Sequence, residues 1–121
     1  MTAGLAPEER LARLRLARTD RIGPVTFVEL LRREGSALRA SERLPDLSRR
    51  AGGTAVRVAD RSAVESELEH GEALDARLVV LGDAAYPKAL AALDAPPPVF
   101  WTRGRDDLLG GGASRAASAL G

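Results

Sequence analysis

Arg21 to Gly35 reads RIGPVTFVELLRREG, and this stretch decides what kind of fold the chain can have. Proline is favoured in the first turn of a helix, where its missing N–H costs no intrahelical bond, so Pro24 marks a helix start. Pro24, Phe27, Val28 and Leu31 then stand at i, i+3, i+4 and i+7, the spacing of one buried helical stripe. Gly35 is placed to end the helix, because glycine enters the left-handed conformation of a C-cap without strain.

The same logic extends in both directions. Pro7-Glu8-Glu9 has the composition of another first turn, with carboxylates at the positive end of the helix dipole. Leu11, Leu14 and Ala17 or Arg18 continue at helical spacing, and Thr19-Asp20-Arg21 breaks the pattern. After Gly35, Ser36 offers an N-cap for a short third helix through about Arg43. Pro45 is expected to interrupt it and to start a fourth helix, closed by Gly52-Gly53. SAVE, from Ser62 to Glu65, has capping-box spacing and opens a fifth helix with Val64, Leu68 and finally Leu74 on one face. Residues 6–74 therefore read as a small all-α bundle, with TAVRVAD (Thr54 to Asp60) as a connector of undefined conformation.

Past residue 75 the pattern changes. RLVVLGD, from Arg77 to Asp83, is an apolar run of strand length closed by Gly82-Asp83. YPKALAALD reads as a short helix beginning near Pro87, and PPPVFWTRG as an extended entry into a strand from Val99 to about Arg103. The order strand, helix, strand suggests the start of an α/β sheet over residues 75–121, so the fold class is α+β.

The 121 residues suffice for one ordinary domain, or for a small domain and part of a second. A hydrophobic share of 45% with 29% charged residues is that of a globular protein. The N-terminus carries charges throughout and no continuous apolar core, unlike a signal peptide, and no apolar run approaches membrane-spanning length. The expected location is the cytoplasm, with no membrane partner. The net charge of +1 conceals an asymmetry: residues 1–58 hold 12 arginines against 7 acids, and residues 59–121 hold 6 basic residues against 10 acids. The basic half is either a set of solvated helix faces or a surface for a polyanion.

Catalytic chemistry finds few candidates. Without cysteine there is no thiolate nucleophile or metal ligand, and His70, the single histidine, has no triad partner or second imidazole. Glu65, Glu67, Glu69, Glu72 and Asp75 scatter around one helix as a solvated acidic face. Lys88, the only lysine, follows no glycine loop, and Gly110, Gly112 and Arg115 fail the dinucleotide fingerprint. No enzymatic activity, cofactor or metal is expected.

Two segments remain as binding candidates. Ile22-Gly23-Pro24 is either a tight turn between helices, with Ile22 and Phe27 in the core, or a turn whose amides face a nucleic-acid phosphate. GGGASRAASALG, from Gly110 to Gly121, is either a plain polar tail or an anion-binding loop with Arg115 as its charged fork.

The order of these motifs resembles the DNA-processing protein A (DprA, or Smf) family. The matching residues are Ile22-Gly23-Pro24, Gly35-Ser36, Gly82-Asp83 with Tyr86-Pro87 and Leu90, Pro97-Pro98 with Trp101 and Gly104, and Ser114-Arg115 with Ser118 and Gly121. The resemblance implies a sterile-alpha-motif-like helical domain at 6–74, followed at 75–121 by an incomplete β-α-β start of a Rossmann-like DNA-binding domain. It also implies single-stranded DNA binding in natural transformation, loading of the RecA recombinase and, for the whole family fold, a homodimer. Ser114, Arg115, Ser118 and Gly121 would then form a DNA phosphate loop, with Ile22, Gly23 and Pro24 as a further backbone contact. Ala113 stands where the loop's glycine belongs, and LLGGGA where a strand belongs, so an N-terminal fragment with impaired DNA binding is the expectation. The reading from another class is a helical protein-interaction module that binds no DNA.

Overall fold

The computed structural model describes residues 4–103. Four helices come first: α1 (Pro7–Ala17), α2 (Pro24–Glu34), α3 (Ala37–Arg50) and α4 (Arg61–Ala73). Strand β1 (Ala76–Val80), the short helix α5 (Lys88–Ala91) and strand β2 (Val99–Arg103) follow. Among the described residues no helix is long and apolar enough to cross a membrane.

Pro7 and Pro24 each sit in the first turn of their helix, as read. Gly35 closes α2 at φ 89°, with its N–H donating to the Leu31 carbonyl. Ser36 caps α3 by accepting a hydrogen bond from the Arg39 N–H at 3.1 Å. Glu9 strengthens that start from 28 residues upstream: its carboxylate accepts from the N–H groups of Ala37 at 2.7 Å and Leu38 at 3.1 Å. Arg13 pairs with the same carboxylate at 2.8 Å. Burial alone pushes the Glu9 carboxyl upward, but the Ala37 N–H, Arg13 and the Leu38 N–H outweigh it and hold the group below its ordinary value.

Two helix boundaries differ from the reading. The expected third and fourth helices are one, and Pro45 lies inside it. Proline removes the N–H that would bond the carbonyl four residues back, yet Leu44 and Leu47 both pack in the same core, so the helix runs on through the gap. The Ser48 hydroxyl supports this segment by donating toward the carbonyls of Leu44 and Pro45, at 2.9 and 3.1 Å. At α4 the capping box does not form. Asp60 is the N-cap without a side-chain bond, and Glu65 pairs with Arg61 at 2.9 Å rather than reaching back.

β1 and β2 pair antiparallel, from Ala76 opposite Arg103 to Val80 opposite Val99. The order strand, helix, strand is as read, but the pairing is that of a hairpin with a long connection, unlike the parallel pairing of a crossover unit. The contiguous apolar run has a simple cause: both faces of the sheet are covered. Leu78, Val80 and Val99 pack with Leu14 of α1 and Val64 of α4. Val79 and Phe100 pack on the other face with Tyr86. The Tyr86 hydroxyl donates to the Pro97 carbonyl at 2.8 Å, and burial pushes its pKa up to about 12.

Helix α1 joins the two halves. Its Ala12 and Leu16 enter a helical core with Phe27, Leu30, Ala37, Ala40 and Leu44, while Leu14 turns to the sheet. Arg10 adds a polar tie, pairing with Asp83 at 3.0 Å and donating to the Leu78 carbonyl at 2.6 Å. Asp83 in turn accepts from the Val80 N–H at 2.8 Å. The change from helix to strand near residues 74 and 75 is therefore not a break in packing.

Candidate nucleic-acid interface

The end of α1 is built to present a turn. Thr19 is buried, and its hydroxyl donates to the Arg15 carbonyl at 2.7 Å while accepting from the Ala59 N–H at 3.0 Å. Arg15 Nε donates to the Ala59 carbonyl at 2.8 Å, so α1 holds the connector at two points. A third point is the Val56 N–H, which donates to the Ser48 hydroxyl at 2.8 Å. Val56 and Val58 pack against the helical core. The 54–60 segment, undefined by periodicity, is thus an extended strap fastened along the bundle.

Arg21 adopts φ 71°, a left-handed conformation that costs a non-glycine residue on the order of 1 kcal/mol. This turns the chain so that Ile22 packs on the core while Gly23 and Pro24 remain exposed. Ile22 and Phe27 pack in the core, as expected of a tight turn between helices, and the start of α2 faces solvent. Gly23 is the N-cap in extended conformation, with no side-chain cap and no acidic residue in the first turn of α2. The Val25 and Thr26 N–H groups lie in that first turn, where the helix itself supplies no acceptors.

A cleft of about 330 Å³ opens beside this turn. Its walls are Asp20 and Arg21 on one side and the strap residues Thr54, Ala55, Val56 and Arg57 on the other. Eight arginines of the described residues are spent in ion pairs, namely Arg10, Arg13, Arg18, Arg32, Arg43, Arg49, Arg50 and Arg61. Arg21 and Arg57 are exposed and form no ion pair among the described residues. The cleft therefore offers two guanidinium groups, each able to bind phosphate as a fork, beside the positive end of a helix.

Of the residues read as site candidates, Ile22, Gly23 and Pro24 form the turn next to this cleft. Ser114, Arg115, Ser118 and Gly121 lie outside the described residues. Arg57 was not singled out by the sequence, because its position depends on Ser48 and Thr19 fastening the strap. His70 is exposed on α4, as expected for a solvated helix residue.

The described residues thus form a helical module with an exposed turn between its first two helices, a cleft lined by Arg21 and Arg57 beside that turn, and a small antiparallel sheet. Residues 7–70 match the family model of the DprA-like N-terminal HHH domain. That match covers more than half of the chain, and the chain belongs to this family of DNA-processing proteins. No curated protein matches the chain significantly.

Proposed function

We propose that this chain serves DNA processing in natural transformation as a binding module without catalytic activity, and that it engages single-stranded DNA through the sugar-phosphate backbone. The carrying observation is that Arg21 and Arg57, both without carboxylate partners among the described residues, face one cleft beside the uncapped start of α2. Backbone contacts of this kind give salt-dependent, sequence-tolerant affinity. In this reading the two-stranded sheet is the first part of a Rossmann-like domain, and Ser114, Arg115, Ser118 and Gly121 add a second phosphate contact. Loading of RecA recombinase onto the bound strand completes the proposed role.

Anisotropy titration of a labelled single-stranded oligonucleotide at about 50 and about 200 mM salt tests the reading. Binding that weakens with salt and drops at least fivefold in an Arg21→Ala/Arg57→Ala variant is expected. Unchanged affinity in that variant would remove the cleft from the interface.

A second reading, a protein-interaction module, draws on a groove of about 340 Å³ between α4 and β2. Gly71, Leu74, Ala76 and Trp101 line it, and Leu74 is 44% exposed. Concentration-dependent self-association without any oligonucleotide binding would favour this alternative.

A further inference from the structure

Which nucleic acid the cleft accepts depends on what else the chain can offer a base. Single strands are distinguished from duplexes chiefly by unstacked bases, which binding proteins catch on aromatic rings. Beside His70, an exposed imidazole on α4 that does not line the cleft, the sequence holds four aromatic side chains: Phe27, Tyr86, Phe100 and Trp101. Phe27, Tyr86 and Phe100 are 0%, 7% and 2% exposed, so none of them can receive a base.

Trp101 is committed elsewhere. Its Nε1 donates to Glu67 Oε2 at 2.8 Å, and Glu67 is gripped by Arg18 through bonds of 2.9 and 2.7 Å. The indole lies so close over Gly71 that a Cβ there would stand 2.2 Å from the ring. The side chain also packs against the core formed by Leu14, Val64 and the sheet. None of the four rings lines the cleft at Arg21 and Arg57.

We infer that the cleft reads phosphates alone and accepts duplex and single-stranded nucleic acid alike. The inference rests on the nucleic-acid reading above and sharpens it: any preference for single strands has to come from outside this cleft. The groups at the cleft are guanidinium groups and the open end of a helix, which address charge rather than base edges. Two phosphate contacts at the cleft contribute about −1.4 for single strands and about −1.8 for duplex to the slope of log affinity against log salt.

The experiment titrates the full chain with matched single-stranded and duplex oligonucleotides of equal length over a salt series. Trp101, the only tryptophan, supplies a second readout through its emission. The expected result is affinities within threefold of each other, both slopes flattening by about those amounts in the Arg21→Ala/Arg57→Ala variant, and unchanged Trp101 emission at saturation. Both arginines are exposed and without ion-pair partners among the described residues, and circular dichroism checks that the variant keeps its fold. A preference of tenfold or more for either form, or quenching of Trp101 by the single strand alone, overturns strand indifference while leaving nucleic-acid binding intact. Absence of binding to both forms at low salt overturns the nucleic-acid reading itself.

Discussion

Trp101 rests directly on Gly71: a methyl group in place of the glycine hydrogen would lie 2.2 Å from indole Cη2 and Cζ3. No side chain fits in that space, so glycine is the residue that lets β2 approach α4. The contact sits at the seam between helices and sheet, beside the Glu67–Arg18 pair that holds the indole N–H. Gly71→Ala is therefore expected to force the ring aside and destabilise the chain by about 1–3 kcal/mol, the range for overpacking a filled site. Thermal unfolding followed by circular dichroism measures the loss. A red shift of Trp101 emission in the folded variant locates it.

Acid should weaken the fold through two carboxylates. Glu67 is held below its ordinary value of 4.5, first by the Arg18 guanidinium, against the opposing effect of burial, and further by the Trp101 N–H. Glu9 is lowered as well, its hydrogen bonds overcoming burial. A carboxyl whose folded pKa lies below its unfolded value contributes stability that is full above the unfolded value and lost as pH falls through the folded one. Stability should accordingly be flat near neutrality and fall below about pH 4.5. A Glu9→Gln/Glu67→Gln variant should be less stable at neutral pH and lose less on acidification. Urea midpoints from pH 7 down to 3 provide the check, and parallel curves for both proteins would contradict it.

Much of this architecture was legible in the residues because local rules and packing agreed. Pro24 and Gly35 bound α2, Ser36 caps α3, and the strand expected at Val99 to Arg103 is β2. Where they conflicted, packing prevailed. Pro45 is a local stop signal, yet Leu44 and Leu47 hold the helix on course into the core. SAVE fits a capping box, yet the chain enters α4 two residues earlier, at Asp60. The antiparallel register depends on pairing Val80 with Val99 across the whole 81–98 connection, which no local pattern reports. Of the candidate cleft, only the adjoining turn Ile22-Gly23-Pro24 was legible, and Arg21 stood out as no more than part of a helix break. Arg57 was not legible, because side-chain bonds from Thr19 and Ser48 determine where its segment lies.

Pro45 leads to the opposite kind of expectation. It lies in the interior of α3, where a proline is roughly 3 kcal/mol less favourable than alanine. The Ser48 hydroxyl offers a local hydrogen bond but does not restore the missing N–H, and some apolar contact would be lost with the ring. Pro45→Ala should on balance stabilise the chain by about 1–2 kcal/mol, allowing for that lost contact. A raised thermal midpoint is the expected result; a lowered one would mean that the ring's packing outweighs the restored backbone bond.

Asp20 tests the electrostatics of the cleft in the direction of gain. It is the one carboxylate among the described residues lining it and lies next to Arg21 in the chain. A negative charge there opposes an incoming phosphate, and unit charges about 4 Å apart in water interact by about 1 kcal/mol. Asp20→Asn keeps the size and the hydrogen-bonding oxygen while removing the charge. Oligonucleotide affinity should rise roughly two- to fivefold at low salt, and the advantage should shrink as the Debye length falls below the spacing of the charges. The same substitution in the Arg21→Ala/Arg57→Ala background should have much less effect, because little anion remains bound for Asp20 to repel. Equal gains in both backgrounds would place the phosphate somewhere other than between Arg21 and Arg57.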